Sequence, residues 1–191
     1  MVRVEQGNRL RIGRALDLGA EGIVVPQVHA TADARDVVSW LQYPPAGKRG
    51  VALFNRGTAY GSRGHAAVDE FNEQVLGVIQ IESQAAVDAA AEIAALDGVD
   101  VLFVGPSDLT HALGVRGQID HPAFLAAVDR VAEAARSSGK AAGVLVWQPE
   151  GVRIYAERGY TFFALSGDGQ ILDRAIRASV TVMRETVQAV P

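Results

Sequence analysis

Cysteine is absent from the 191-residue chain, which excludes disulfides, thiolate nucleophiles and cysteine-ligated zinc. No apolar run approaches the ~20 residues that a membrane-crossing helix needs. The opening MVRVEQGNRLRIG has no apolar core of signal-peptide length, so a cytoplasmic protein is the default expectation. Positive charge is not in excess: the net charge is -4 and the pI about 5.5, so neither nucleic acid nor an anionic membrane is expected as a partner. Aromatics are scarce at 6%, against 49% hydrophobic and 21% charged residues. That balance is ordinary for a globular chain with a sizeable core and suits a single domain over 1–191.

The most informative stretch is Gly77 to Thr110, GVIQIESQAAVDAAAEIAALDGVDVLFVGPSDLT. Val78 to Ile81 reads as a strand ending at Glu82. A helix follows, with Ser83 as its N-cap and Ala86, Val87, Ala90, Ile93, Ala94 and Leu96 at near-helical spacing, and Gly98 stops it. Val101 to Val104 reads as a second strand, running into Gly105-Pro106-Ser107-Asp108. This is a βαβ unit with a crossover long enough for parallel strands. Carboxyl ends of parallel strands share one face, where α/β folds bind ligands, so Glu82 and Asp108 are expected to point toward a common site. Two carboxylates there need a shared proton or a cation, and oxygen-only ligation suits Mg²⁺ or Mn²⁺. The competing reading of the same spacing is an N-capping Asp108 and a solvated Glu82.

Around this unit the pattern alternates. Strands are expected at Val2–Val4, Ile23–Val28, Ala142–Val146 and Phe162–Leu165. Helices are expected at Arg9–Leu18, from Thr31 or Asp33 to Leu41, and at Ala67–Gln74, Pro122–Ser137, Pro149–Arg158 and Gln170–Gln188. Residues 43–50, YPPAGKRG, are too rich in Pro and Gly for regular structure, and 51–66 reads as a long loop of functional or mobile character. No linker, low-complexity tract or repeat interrupts the series. Such alternation predicts a right-handed parallel α/β fold. An eight-stranded barrel takes ~250 residues, about two βα units more than this chain holds. The expectation is therefore either an open doubly wound sheet or a TIM-type barrel with about six βα units and its first two strands missing. The strand starting at Val2 favours the N-terminally incomplete barrel.

RALDLGAEGIVVPQV (14–28), YPPAGKRGV (43–51), VIQIES (78–83), GVDVLFVGPSDLT (98–110), GKAAGVLV (139–146) and ALSGD (164–168) together resemble the HpcH/HpaI aldolase family. These are the metal-dependent class II pyruvate aldolases of the phosphoenolpyruvate/pyruvate superfamily. The segments occur in the family's order and cover nearly the whole chain. Citrate-lyase-β-like enzymes share the barrel and similar carboxylates, but YPPAGKRG points to the aldolases.

The resemblance implies a lyase that cleaves or forms 4-hydroxy-2-oxo acids, pyruvate plus an aldehyde, through a metal-stabilised pyruvate enolate. On it, Glu82 and Asp108 match the two protein ligands of a divalent ion, Mg²⁺ or Mn²⁺ with Co²⁺ also suitable. Gln80 lies on the same side of its strand as Glu82 by period-2 alternation and would bond metal-bound water or substrate. Gly105, Pro106 and Ser107 form the loop whose Gly105 and Ser107 N–H groups would hold the pyruvate carboxylate. Arg3 matches the arginine that stabilises the enolate oxygen. No Schiff-base lysine is required, and Lys48 and Lys140, the only lysines, are not expected to be buried. Family members assemble as hexamers, so a homo-oligomer (a hexamer or trimer of dimers) is implied. Ile171, Leu172, Ile176, Val180 and Met183 are candidates for the subunit contact.

One departure stands out. The family's histidine–aspartate base lies after the second barrel strand, in a region that would precede Met1, so the base is expected to be missing here. His29 ends a strand on the catalytic side and reads as a polar loop residue; His65, His111 and His121 read as loop, structural or solvated. Aldehyde choice is expected to rest on loops 51–66 and 111–121 and on the absent N-terminus. The alternatives are a citrate-lyase-β-like lyase acting on a CoA thioester and a non-catalytic barrel remnant that binds or assembles. The chain shows no basic patch for CoA phosphates.

Overall fold

The computed structural model describes residues 1–190. Six strands form a single parallel sheet in sequence order: β1 (Val2–Arg3), β2 (Gly22–Val25), β3 (Leu76–Ile81), β4 (Val101–Val104), β5 (Ala141–Val146) and β6 (Phe162–Leu165). Helices connect them: α1 (Arg9–Asp17), α2 (Thr31–Leu41), α3 (Val68–Gln74), α4 (Gln84–Asp88), α5 (Ala90–Ala94), α6 (Pro106–Ala112), α7 (Pro122–Ser137), α8 (Val152–Ala156) and α9 (Asp168–Gln188). Every crossover steps to the next strand in the same direction, which removes the doubly wound alternative, since that topology reverses strand order. The sheet is a curled half-barrel.

Strand alternation gives the sheet two apolar faces. Val4, Ile23, Val25, Ile79, Ile81, Leu102, Val104 and Val144 turn outward and join the layer built with the helices. From α7, Phe124, Val128 and Val131 complete that layer without exposure; truncating a buried phenylalanine such as Phe124 to alanine costs roughly 3–5 kcal/mol. Val24, Val78, Val101 and Phe103 turn inward, against Leu145 and Phe162. The Phe103 and Phe162 rings meet edge to face at 6.1 Å. Gly143 lies between them, where a β-carbon would come within 2.9 Å of either ring.

Most elements match the sequence expectation, and the departures have local causes. β2 stops at Val25 because Pro26 has no N–H for the ladder. Asn8 caps α1 by accepting from Arg11 N–H at 3.0 Å. At the start of α2, Asp33 reaches back to accept from the N–H groups of both His29 and Ala30, each at 3.0 Å. The helix after β3 is broken in two at Ala89, with Ser83 as the expected cap of its first half. Residues 56–61 and 65–67 wind into 3₁₀ turns instead of open loop. The last helix departs most: α9 has no buried residue along its 21 positions, so it is not part of the core.

Candidate functional site

β3 carries the site. Its inward positions are Val78 and Gln80, and Glu82 follows just past the strand end. Register places Ile81 beside Val104, so Glu82 and Gly105 are neighbours at the carboxyl ends of β3 and β4. Both polar side chains are enclosed, Gln80 at 7% and Glu82 at 8% exposure. That removes the reading of Glu82 as a solvated residue.

Three donors are lined up on this pair. The exposed Arg3 reaches across β2 and donates from Nε to Gln80 Oε1 at 3.3 Å. The Gln80 amide Nε2 donates in turn to Glu82 Oε2. The other carboxylate oxygen, Oε1, accepts from the backbone N–H of Gln27 at 2.7 Å. Gln27 is held for this at a φ of 58°, a left-handed conformation uncommon for a side chain of its size. Beside it, His29 Nδ1 lies 3.0 Å from Ser83 Oγ, tying the β2–α2 turn to the residue after Glu82. Sequence reasoning missed this Gln27–His29 clamp. The stop at Pro26 was its only visible signal, since nothing local marks a glutamine for positive φ.

Gly105 completes the enclosure. A β-carbon there would lie 2.8 Å from Gln80 Nε2 and 3.2 Å from Glu82 Oε2, so glycine is what allows the two strand ends to close together. Its N–H donates to Ile81 O at 3.2 Å, which corrects the expectation of a free Gly105 N–H. Within α6 the first bond is Leu109 N–H to Gly105 O at 2.9 Å, so the Ser107 and Asp108 N–H groups have no protein acceptor among the described residues. Pro106 is buried at the first helical position. Asp108 is exposed in the first turn and does not cap the helix: the N-cap is Gly105, with no side-chain cap bond. The structure thus joins Arg3, Gln80, Glu82 and Gly105 by direct contact. Asp108 stands one turn away, with no hydrogen bond or ion pair to Glu82 among the described residues.

The donor set fits a hard divalent cation. Glu82 is a buried carboxylate with no cation in ion-pair range among the described residues, a costly state unless something balances it. Each of its oxygens accepts one N–H, which leaves lone pairs on both for a further partner. No group of three or more His, Asp or Glu side chains gathers among the described residues, so an ion held by Glu82 would take most of its ligands from water and substrate oxygens.

One expectation changes. The 51–66 segment follows α2 and precedes β3, and it packs on the end of α1: Asn55 Nδ2 donates to Asp17 Oδ1 at 3.0 Å. It therefore lies at the amino ends of the strands, opposite Glu82, and cannot shape aldehyde choice at the site of its own chain. The histidines are otherwise engaged or remote. His111 Nδ1 lies 2.7 Å from Ser107 O, His121 Nδ1 accepts from Ala123 N–H at 3.1 Å, and His65 starts a 3₁₀ turn beside the 51–66 segment.

The fold is a parallel α/β half-barrel with helices outside and a buried carboxylate at the carboxyl ends of its strands. The family model described as HpcH/HpaI aldolase/citrate lyase matches residues 1–175, and the chain belongs to that family. It is 36% identical over 189 residues to a hydroxypyruvate/pyruvate aldolase of Delftia acidovorans, covering 97% of this chain and 69% of that one. It is 39% identical to a 5-keto-4-deoxy-D-glucarate aldolase of Klebsiella pneumoniae, covering 88% of this chain and 65% of the other. Among solved structures, an HpcH/HpaI aldolase/citrate lyase family protein from Burkholderia cenocepacia superposes with a TM-score of 0.90 at 37% identity, over 96% of this chain and 72% of that one. The chain spans about two thirds of the length of these curated relatives. Among the described residues no helix is long and apolar enough to cross a membrane.

Proposed function

We propose that the chain carries the metal and oxo-acid half of a divalent-metal-dependent class II aldolase acting on 4-hydroxy-2-oxo acids, with pyruvate and an aldehyde as the partners of the reaction. The observation that carries this reading is the enclosed Glu82, with no cation in ion-pair range among the described residues and with Gln80 and Arg3 aligned behind it. Glu82 and Asp108 would hold Mg²⁺ or Mn²⁺. When bound, the ion supplies Lewis-acid polarisation of the 2-oxo group, which makes the adjacent carbon acidic. Arg3 places a fixed positive charge where negative charge develops on the enolate oxygen. The Ser107 N–H, at the start of α6, would receive the oxo-acid carboxylate. Gln80 keeps Arg3 and Glu82 in register, accepting from the first and donating to the second.

This reading gives none of the four histidines the base role: His29, His111 and His121 make no hydrogen bond to Arg3, Gln80, Glu82 or Asp108 among the described residues, and His65 lies toward the opposite end of the sheet. The base is expected to come from outside these residues. A homo-oligomer belongs to the same proposal. Its support is α9, which presents Ile171, Leu172, Ile176 and Met183 to solvent at 46–67% exposure.

The test is coupled detection of pyruvate released from a 4-hydroxy-2-oxo acid, with and without Mn²⁺ or Mg²⁺, beside direct Mn²⁺ titration. Mn²⁺ binding that is lost in Glu82→Ala and Asp108→Ala supports the site, whatever the turnover. Absence of Mn²⁺ affinity in the parent chain overturns it. Full metal-dependent turnover by these residues alone would sustain the aldolase and overturn the assignment of the base elsewhere.

A further inference from the structure

We propose that the groove between α1 and residues 49–52, beside Trp40, is a binding site for a small organic phosphate monoester, sharing no residue with the Glu82 site. The groove is open to solvent, has a volume of about 580 Å³ and is lined by Arg9, Arg14 and Arg49 with a single carboxylate, Asp17. Asp17 is already committed: Oδ1 accepts from Arg49 Nη2 and from Asn55 Nδ2, both at 3.0 Å. Arg9 and Arg14 have no ion-pair partner among the described residues; the third arginine of α1, Arg11, is taken by Glu5 at 2.7 Å. Two uncompensated guanidinium groups thus face one cavity on a chain whose net charge is -4. Positive charge concentrated against the molecule's overall sign selects an anion. Arginine forks match phosphate oxygens pairwise, and a phosphate monoester carries roughly -1.5 to -2 at neutral pH, which is what Arg9 and Arg14 leave unbalanced.

Arg49 makes the floor rigid. It is 8% exposed, with its guanidinium carbon 4.3 Å from the centre of the Tyr43 ring. Its Nε is buried without a hydrogen-bond partner among the described residues, an unmet donor on a residue that lines the groove. This also gives the YPPAGKRG segment a use that the Glu82 site does not absorb. The walls explain an organic ligand: the volume far exceeds a bare phosphate, and Trp40 and Leu10 supply apolar surface.

Gly13 is the independent observation. It sits inside α1, where glycine is disfavoured relative to alanine, yet a β-carbon there would meet nothing within 4 Å. Packing within the chain does not require it. It leaves the floor of the groove open between Arg9 and Arg14.

The experiment uses Trp147→Phe as background, so that Trp40 is the remaining indole of the two, in metal-free buffer with chelator. Phenyl phosphate is titrated while Trp40 fluorescence is followed. A saturable change is expected, with affinity about tenfold weaker in Arg14→Ala, the usual loss of one charge-assisted contact. Gly13→Leu should abolish binding while circular dichroism and the thermal midpoint are kept, since leucine suits the helix and fills open space. Inorganic phosphate and benzoate should each bind at least ~10-fold more weakly than phenyl phosphate. No saturable signal into the millimolar range overturns the proposal, as does an affinity unchanged by Gly13→Leu or Arg14→Ala. Equal affinity for inorganic phosphate or benzoate overturns the monoester assignment. Loss of binding in Glu82→Ala would move the phosphate to the other end of the sheet and overturn the groove as its site.

Discussion

Glu82→Gln separates hydrogen bonding from ligation at the site, because the arrangement around Glu82 has a direction. Arg3 Nε–H donates to Gln80 Oε1, Gln80 Nε2–H donates to Glu82 Oε2, and the Gln27 N–H donates to Glu82 Oε1. A glutamine at 82 has one acceptor where the carboxylate has two. If its oxygen faces Gln27, its amide nitrogen faces the Gln80 amide, donor against donor. Turning Gln80 over moves the conflict to Arg3; turning residue 82 over moves it to Gln27. The least costly arrangement turns Gln80 over and leaves its amide opposed to the exposed Arg3, at a cost of about 1 kcal/mol, or roughly 2–4 °C in thermal midpoint for a domain of this size.

The double variant Gln80→Glu/Glu82→Gln restores all three links. The carboxylate introduced at position 80 accepts from Arg3 and from the new amide at 82, whose oxygen accepts from Gln27. Melting followed by circular dichroism in chelator should therefore show the single variant destabilised and the double variant recovered to near the parent. Mn²⁺ titration should show both variants without tight binding, since the carboxylate of the double variant has moved back along β3. A single variant that melts with the parent, or a double variant that does not recover, refutes the directional chain. Parent-like Mn²⁺ affinity in the double variant refutes Glu82 as a positioned ligand.

Asp108→Asn should leave the stability within about 0.5 kcal/mol of the parent, because Asp108 is exposed and caps nothing, while Mn²⁺ affinity falls at least ~10-fold; calorimetric titration reads the second and a melt the first. Gly105→Ala places a β-carbon 2.8 Å from Gln80 Nε2, so both stability, by roughly 1–3 kcal/mol, and Mn²⁺ affinity should drop, and an unchanged pair of values would contradict the close approach. At alkaline pH two tyrosines matter: burial pushes Tyr155 up to about 12 from its ordinary 10.0, and burial raises Tyr160 as well, its hydroxyl donating to Val128 O at 2.9 Å. The fold prefers both phenols neutral, so their stabilisation is complete below pH 10 and drains as pH rises from about 10 through 12; in a Tyr60→Phe background, which removes the 72% exposed phenol, unfolding should accompany the phenolate absorbance of these two, and their ionisation near pH 10 with the fold intact would refute it.

What the sequence disclosed and what it withheld divide along physical lines. Period-2 alternation in VIQIE was enough to put Gln80 and Glu82 on one side of β3, because strand geometry leaves no other choice. The end of the sheet at which residues 51–66 lie was equally available: a segment between a helix and the next parallel strand must sit at the amino ends. Its arginines, tyrosine and histidine drew attention to composition when position in the βα cycle decided the matter. The Gln27 N–H on Glu82 was not available, since it depends on a positive φ at a glutamine and on the pairing of β2 with β3 bringing together two turns 55 positions apart in sequence. Nor was the role of Gly105. A glycine before a proline at a strand end reads as turn chemistry, whereas here its φ is an ordinary -95° and its importance lies in the missing β-carbon. Glycine was required by what stands opposite it, Gln80 and Glu82, and such a requirement exists only once β3 and β4 are paired in register.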